Sequence, residues 1–296
     1  MTSSPHVDAA PLLHAMSIDV EEYFHASALD AVAPRSQWDS LPSRVVPTTQ
    51  SLLELFAANH VRATFFVLGW VADRNPALVR DIAAAGHEVA SHGYWHEIVY
   101  TLSQDAFRDD VRRSKQVLED LTGRAVRGYR APSFSITRQS LWALDVLTEE
   151  GYSYDASIFP VHHDRYGIVD APRHAYRAVC GTTAIDEVPP STVRIAGQNL
   201  AVAGGGYFRL LPYAWTRFGL DHLVRTEQRP AIFYLHPWEI DVEQPRLPLG
   251  IATRVRHYGN LHRTYGRLSR LLQRFQFTAV EDVLNRAQPL PVHRLT

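Results

Sequence analysis

The order in which apolar runs and amphipathic stretches alternate constrains this chain more than any other feature of its sequence. Leu12 to Val20 reads as a strand, and Thr48 caps a helix running to Asn59 with Leu52, Leu55 and Phe56 on one face. Ala63 to Leu68 is a buried strand. Pro76 opens a short helix that stops before Gly86, the usual Pro-in, Gly-out pattern. His87 to Ser91 is the next strand, and Ser103 caps a helix carrying Phe107, Val111, Leu118 and Leu121 at helical spacing. Val126 to Tyr129 is a strand, Thr137 to Glu150 a helix closed by Gly151, and Tyr152 to Ala156 a strand again. Repeated β-then-α units imply a parallel sheet with right-handed crossovers. The number of units closes, or nearly closes, a barrel, whose active site lies beyond the C-terminal ends of its strands.

The alternation breaks between about Phe159 and Leu211, a long excursion with short strands at Ile185–Val188 and Thr192–Ile195. It resumes with a helix from Pro212 to Thr226 and the strand Ala231 to Leu235. An amphipathic helix follows, marked by Leu261, Tyr265, Leu268, Leu271, Leu272 and Phe275, and Phe277 to Val280 is a last strand. We therefore read 1–296 as one domain: a catalytic barrel over about 12–240, an irregular insertion at about 159–211, and a C-terminal helical extension over about 241–296.

Composition narrows the function. A formal net charge of -1 lacks the basic excess of a nucleic-acid binder. A single cysteine, Cys180, excludes an internal disulfide framework and reads as a small apolar residue. No run approaches the roughly 18 apolar residues of a membrane span. Met1 to Ala15 has no basic start and no long apolar stretch, so no signal peptide and a cytoplasmic location are expected. Oligomeric state is left open.

The chemically capable residues fall just after the strands. Asp19, Glu21 and Glu22 end the first. His92 and His96 follow His87–Ser91, Arg130 follows Val126–Tyr129, Asp155 sits within Tyr152–Ala156, and His236 follows Ala231–Leu235. Two imidazoles at i and i+4 lie on one side of a helical turn, close enough to share a metal. Alone, such a pair is better read as two surface or core histidines. An apolar strand running into three acids reverses that order. Alternation puts Asp19 and Glu21 on one face, so one can bind metal while the other takes a proton. Arg130 is placed to pair with a carboxylate such as Asp19, or to form a structural ion pair on the rim. His236 is either a general acid near neutral pH or a satisfied core histidine. Gly204-Gly205-Gly206 does not fit a dinucleotide loop and instead lets backbone approach the substrate or another loop. Trp95, Tyr129, Phe134, Tyr207 and Trp238 are candidates for stacking on sugar rings, although burial is the commoner fate of aromatics.

In this order the elements resemble the polysaccharide deacetylase family, the NodB-type carbohydrate esterases. The acidic pair Asp19 and Glu21 matches the family's first motif and His92-Gly93-Tyr94-Trp95-His96 its second. Arg130-Ala131-Pro132-Ser133-Phe134 resembles the third, Asp155 to Phe159 the fourth, and Leu235-His236 the fifth. The segments Asp19 to Phe24, Ser157 to Pro160, Gly204 to Arg209 and Tyr234 to Glu239 are similar to the subfamily associated with bacterial exopolysaccharide gene clusters.

The resemblance implies an α/β fold, a deformed, partly open (β/α) barrel of about seven units. It also implies a divalent metal, most often zinc, and hydrolysis of N-acetyl groups on the amino sugars of a glycan. By position it makes Asp19 the base, Glu21, His92 and His96 the metal ligands, Arg130 the group that orients Asp19, and His236 the acid. Asp155 would orient His236, and backbone N–H groups near Ser133 and Phe134 would receive the oxyanion. Glu21 is preferred to Glu22 as ligand because it shares a face with Asp19. Val20 between the acids, Gly93 in place of Ser or Thr, the inserted Ser133, and Phe159 where Trp is common depart from the pattern. A same-fold hydrolase of a cyclic amide or ureide, and an inactive sugar-binding homologue, are the alternatives.

Overall fold

The computed structural model describes residues 12–181 and 183–295. Residues 1–11, which carry most of the segment in which no signal peptide is expected, lie outside the described residues.

Along the chain run β1 (His14–Val20), α1 (Val45–Ala58), β2 (Thr64–Val67), α2 (Gly69–Arg74), α3 (Pro76–Ala84), β3 (Glu88–Ser91), α4 (Gln104–Thr122), β4 (Gly128–Tyr129), α5 (Trp142–Glu149) and β5 (Tyr154–Asp155). Then come β6 (Tyr176–Cys180), β7 (Thr183–Glu187), β8 (Thr192–Ile195), β9 (Gln198–Ala201), α6 (Gly205–Leu210), α7 (Tyr213–His222) and β10 (Ile232–Leu235). The chain closes with α8 (Ile251–Tyr258), α9 (Leu261–Arg274), β11 (Phe277–Thr278), α10 (Val280–Ala287) and β12 (Val292–Arg294).

The main sheet runs β10-β1-β2-β3-β4-β5-β7-β6-β12. Its seven strands from β10 to β7 are all parallel, each paired to its neighbour. This is the deformed, open barrel expected. The seam between β7 and β10 is spanned by Ser191: its N–H donates to the Ile232 carbonyl at 3.2 Å, and its hydroxyl accepts from the Ile232 N–H at 2.7 Å. Strands such as Thr64–Val67 and Ile232–Leu235 are buried throughout, as parallel strands covered on both faces must be. Alternate residues of several strands, including Ala15, Phe66, Ala90, Tyr154 and Ile232, form an inner cluster completed by Val280, Val283 and Leu284 of α10. The larger cluster packs the other strand face against the helices.

Several expectations need correction. The stretch from Phe159 to Leu211 is not an irregular insertion: β7 within it is a barrel strand, parallel to β5, and β6 pairs antiparallel with β7. The first helix begins at Val45, so Thr48 lies inside its first turn and its hydroxyl donates to the Arg44 carbonyl at 2.7 Å. The glycine run opens α6. Gly204 and Gly205 have φ of 103° and 50°, and a Cβ on Gly204 would lie 2.2 Å from the Tyr234 carbonyl oxygen, so the approach is to strand β10. Ser103 caps α4 as read, accepting from the Ala106 N–H at 3.2 Å. Among the described residues no helix is long and apolar enough to cross a membrane.

Candidate active site

Register carries the functional side chains to one rim. Ile18 pairs with Leu235, Val67 with Ser91, Ser91 with Tyr129 and Tyr129 with Asp155, so the residues that follow gather at the C-terminal ends.

Glu21, His92 and His96 form the tightest group. One ligand atom from each lies within 4.8 Å of the others, and all three residues are buried. Glu21 Oε2 stands 2.5 Å from His96 Nε2 and 3.7 Å from His92 Nε2. It is buried without a hydrogen-bond partner. An orphaned carboxylate oxygen facing two imidazole nitrogens has the chemistry of a divalent-cation site. Burial alone would raise the Glu21 pKa, but His96, His92 and His236 outweigh it and hold the carboxyl well below its usual range. Its other oxygen accepts from the Trp238 indole N–H at 3.0 Å. His92 donates its Nδ1–H to the Arg130 carbonyl at 2.8 Å, which turns Nε2 toward Glu21.

The two histidines do not share a helical turn. Residues 92–96 form a loop in which Gly93 and His96 take φ of 74° and 56°. The loop is held by Asp110 of α4, whose carboxylate accepts from the Tyr94 and Trp95 N–H groups at 2.8 and 3.0 Å. This accounts for Gly93: a Cβ there would lie 2.8 Å from Asp110 Oδ2.

Glu22 turns away from the cluster. It accepts from the Ser43 hydroxyl and from the N–H groups of Arg44 and Val45 at 2.9 and 3.2 Å, satisfying free donors at the start of α1.

Asp19 lies beside this group with Arg130 Nη1 2.6 Å from Oδ1, both side chains buried. Arg130 also donates to Ser17 Oγ at 2.9 Å and to the Ala156 carbonyl at 3.3 Å, and its guanidinium rests 4.1 Å over the Phe66 ring. His236 Nε2 is 3.8 Å from Asp19 Oδ2 and 3.9 Å from Glu21 Oε1.

The resemblance implies Asp155 as the partner that orients His236, and here the structure differs. His236 Nδ1–H donates to Glu239 Oε1 at 2.7 Å. Pro237 starts the short 3₁₀ turn that folds Glu239 back, and the same oxygen accepts the His236 N–H at 3.3 Å. Arg209 of α6, also buried, holds Glu239 Oε2 at 3.0 Å and is itself tied to the Gly259 and Arg256 carbonyls. Burial works against a proton on His236, but Glu239, Glu21 and Asp19 raise its pKa to about 9.

Asp155 instead accepts from the Ser157 hydroxyl at 2.5 Å, and Ser157 Oγ accepts from the Ala131 N–H at 2.7 Å. It therefore braces the segment 130–134. Burial raises the pKa of both Asp155 and its cross-strand neighbour Glu187. In the braced segment Ser133 and Phe134 adopt φ of 54° and 53°, and the Phe134 N–H is taken by the Ala131 carbonyl at 3.1 Å. Of the two N–H groups expected to receive the oxyanion, the Phe134 one is therefore already engaged. Glu239, Arg209, Asp110 and Glu187 are not anticipated from sequence. Glu239 has a signal, its position three residues after His236 across a proline.

A cavity of about 610 Å³ opens over the group, lined by Glu21, His96 and His236 and walled by Phe134, Tyr207 and Trp238. Tyr129 is instead in the core, and Trp95 packs beneath the Arg35 guanidinium at 4.8 Å. His163 lines the cavity, stacked on Tyr166 at 3.8 Å, whereas exposed His162 does not. Cys180 is half-buried with its thiol raised by burial.

Two family models match this chain in tandem: Polysaccharide deacetylase over residues 36–153, and a domain of unknown function (DUF3473) over 156–285. The boundary follows β5, whose pairing with β7 carries the sheet across it. His236, Glu239 and Arg209 all come from the second region. A chitooligosaccharide deacetylase of Bradyrhizobium sp. (strain ANU 289) is 30% identical over 194 residues, 64% of this chain and 77% of the relative. The peptidoglycan deacetylase of Helicobacter pylori is 34% identical over 113 residues, 38% of this chain and 37% of the relative. In this and three further curated deacetylases the match spans 37–49% of the relative's length. In fold, the chain is similar to a solved structure from Mycobacterium smegmatis classed with the polysaccharide deacetylases. The TM-score is 0.64 at 21% identity, covering 98% of this chain and 99% of that one.

Proposed function

The chain belongs to the polysaccharide deacetylase family, and from that premise we propose that it is a metal-dependent hydrolase. Its substrate on this reading is a glycan, exopolysaccharide or peptidoglycan-like, from whose amino sugars it removes N-acetyl groups to release acetate. The observation that carries this reading is the juxtaposition of Asp19–Arg130 and His236–Glu239 around the Glu21–His92–His96 cluster. A base and an acid thereby flank one ligand set.

Two imidazoles and one carboxylate suit zinc and leave positions open, and the metal when bound supplies Lewis acidity. Asp19 takes the proton from the attacking water, and Arg130 holds it aimed. His236 gives the Nε2 proton to the departing amine. Glu239 and Arg209 fix that imidazole's ring and tautomer. The Ser133 N–H receives the oxyanion. Phe134, Tyr207 and Trp238 offer apolar faces to the sugar rings.

Acetate release from N-acetylglucosamine oligosaccharides, run beside a cyclic ureide, tests this reading. Acetate with an equal yield of free amine supports it. Turnover of the ureide alone moves the protein to the cyclic-amide hydrolases, and turnover of neither makes it a sugar-binding homologue.

A further inference from the structure

The wall of the cavity is electrostatically uneven. Arg209 is neutralised by Glu239. Two other arginines reach the rim from unrelated parts of the chain, Arg165 from the segment after β5 and Arg256 from α8. Both are exposed, and among the described residues neither guanidinium has a hydrogen-bonding or ionic partner. Both line the same cavity as His163 and Tyr166, whose rings stack with 8° between planes; the exposed Asp164 carboxylate lies 3.0 Å from His163 Nδ1. The Tyr166 hydroxyl is itself 3.2 Å from that of Tyr207, another lining residue. Asp30 is the one exposed acid among the lining residues, and burial raises its pKa against the opposing effect of His96 and Arg165.

We propose that Arg165 and Arg256 form an anion subsite, so that the glycan this enzyme acts on carries a carboxylate or phosphate as well as its N-acetyl group. The inference rests on the deacetylase reading above. Two guanidinium forks on the wall of one cavity, each without a hydrogen-bonding or ionic partner among the described residues, suit the planar oxygens of either group. Because both side chains are in water, their combined effect is modest, roughly ten-fold in affinity, and salt-sensitive.

The test compares three tetrasaccharides: N-acetylglucosamine alone, N-acetylglucosamine alternating with glucuronate, and N-acetylglucosamine bearing one phosphate monoester. Binding is measured by calorimetry on metal-free protein, and acetate release on zinc-loaded protein. The wild type should bind at least one charged oligomer about ten-fold tighter than the neutral one at low salt. The better charged oligomer identifies the anion. In the double variant R165Q/R256Q the preference should vanish through KM, with kcat and neutral-substrate kinetics unchanged. Equal affinity for neutral and charged oligomers, or a preference that survives the double substitution, overturns the proposal. Arginine-dependent binding without acetate from any oligomer keeps the subsite and rejects the deacetylase reading. Equal turnover of all three keeps the deacetylase and rejects the subsite.

Discussion

His236 and Glu239 are locked together by a 2.7 Å hydrogen bond from Nδ1 to Oε1, with Arg209 on the other carboxylate oxygen. The imidazole is thereby fixed with Nε2 facing Asp19 and Glu21. Glu239→Gln keeps the shape but removes the charge that favours a proton on His236. The alkaline limb of the pH–rate profile should move to lower pH, with amide hydrolysis slowed more than that of an activated acetate ester. His236→Ala should show the same contrast more strongly, because a good leaving group needs no proton. Equal losses on amide and ester in both variants would make the pair structural.

Asp19→Asn should lower turnover about 10²–10⁴-fold, the usual cost of losing a general base. Asp19 stands outside the Glu21–His92–His96 group, so bound metal should be unchanged. Metal content by elemental analysis and acetate release on one preparation check both halves. Near-normal turnover would remove Asp19 from the role of base.

At Gly93, the backbone φ is 74°, and Asp110 Oδ2 lies 2.8 Å from where a Cβ would stand, which leaves no room for a side chain. Gly93→Ala should destabilise the protein by about 1–3 kcal/mol and weaken metal affinity, because the same loop presents both histidines. Thermal melting and metal titration are the measurements, and an unchanged melting temperature would contradict the account.

Far from the site, Glu88 is buried and its carboxyl is raised from 4.5 to about 7 by burial, with Glu281 adding to the shift and the Thr64 and Tyr154 hydroxyls opposing it. The folded state therefore holds this proton more tightly than the unfolded chain. That contribution is full below about pH 4.5 and is lost as pH rises through about 7. It amounts to about 3 kcal/mol at most. Glu88→Gln should flatten the decline in unfolding free energy between these values, and an unaltered slope in denaturant titrations would show that the decline arises elsewhere.

The barrel is legible in the sequence because its strands are continuous apolar runs, such as Ala63–Leu68 and Ala231–Leu235, alternating with capped amphipathic helices. β7 does not read as a barrel strand because Thr183–Glu187 is half polar, its acids serving buried roles at Asp186 and Glu187. The cap on α1 escapes a local reading because its carboxylate, Glu22, lies 22 residues upstream of Arg44, beyond any short-range pattern. The histidine pair is visible in its spacing, yet its convergence depends on two left-handed residues and on Asp110, none of which the spacing encodes. Glu239 shows a different limit: the sequence offers several acids near His236, and only the folded turn after Pro237 selects one of them.

The most direct measurement is acetate release by metal-stripped protein titrated with zinc, using N-acetylglucosamine oligosaccharides as substrate. No release is expected before zinc, followed by a linear rise to a plateau at one equivalent per chain. Glu21→Gln and His92→Ala should need far more zinc or reach no plateau. Full activity in the stripped protein, or wild-type titrations by both variants, would contradict this expectation.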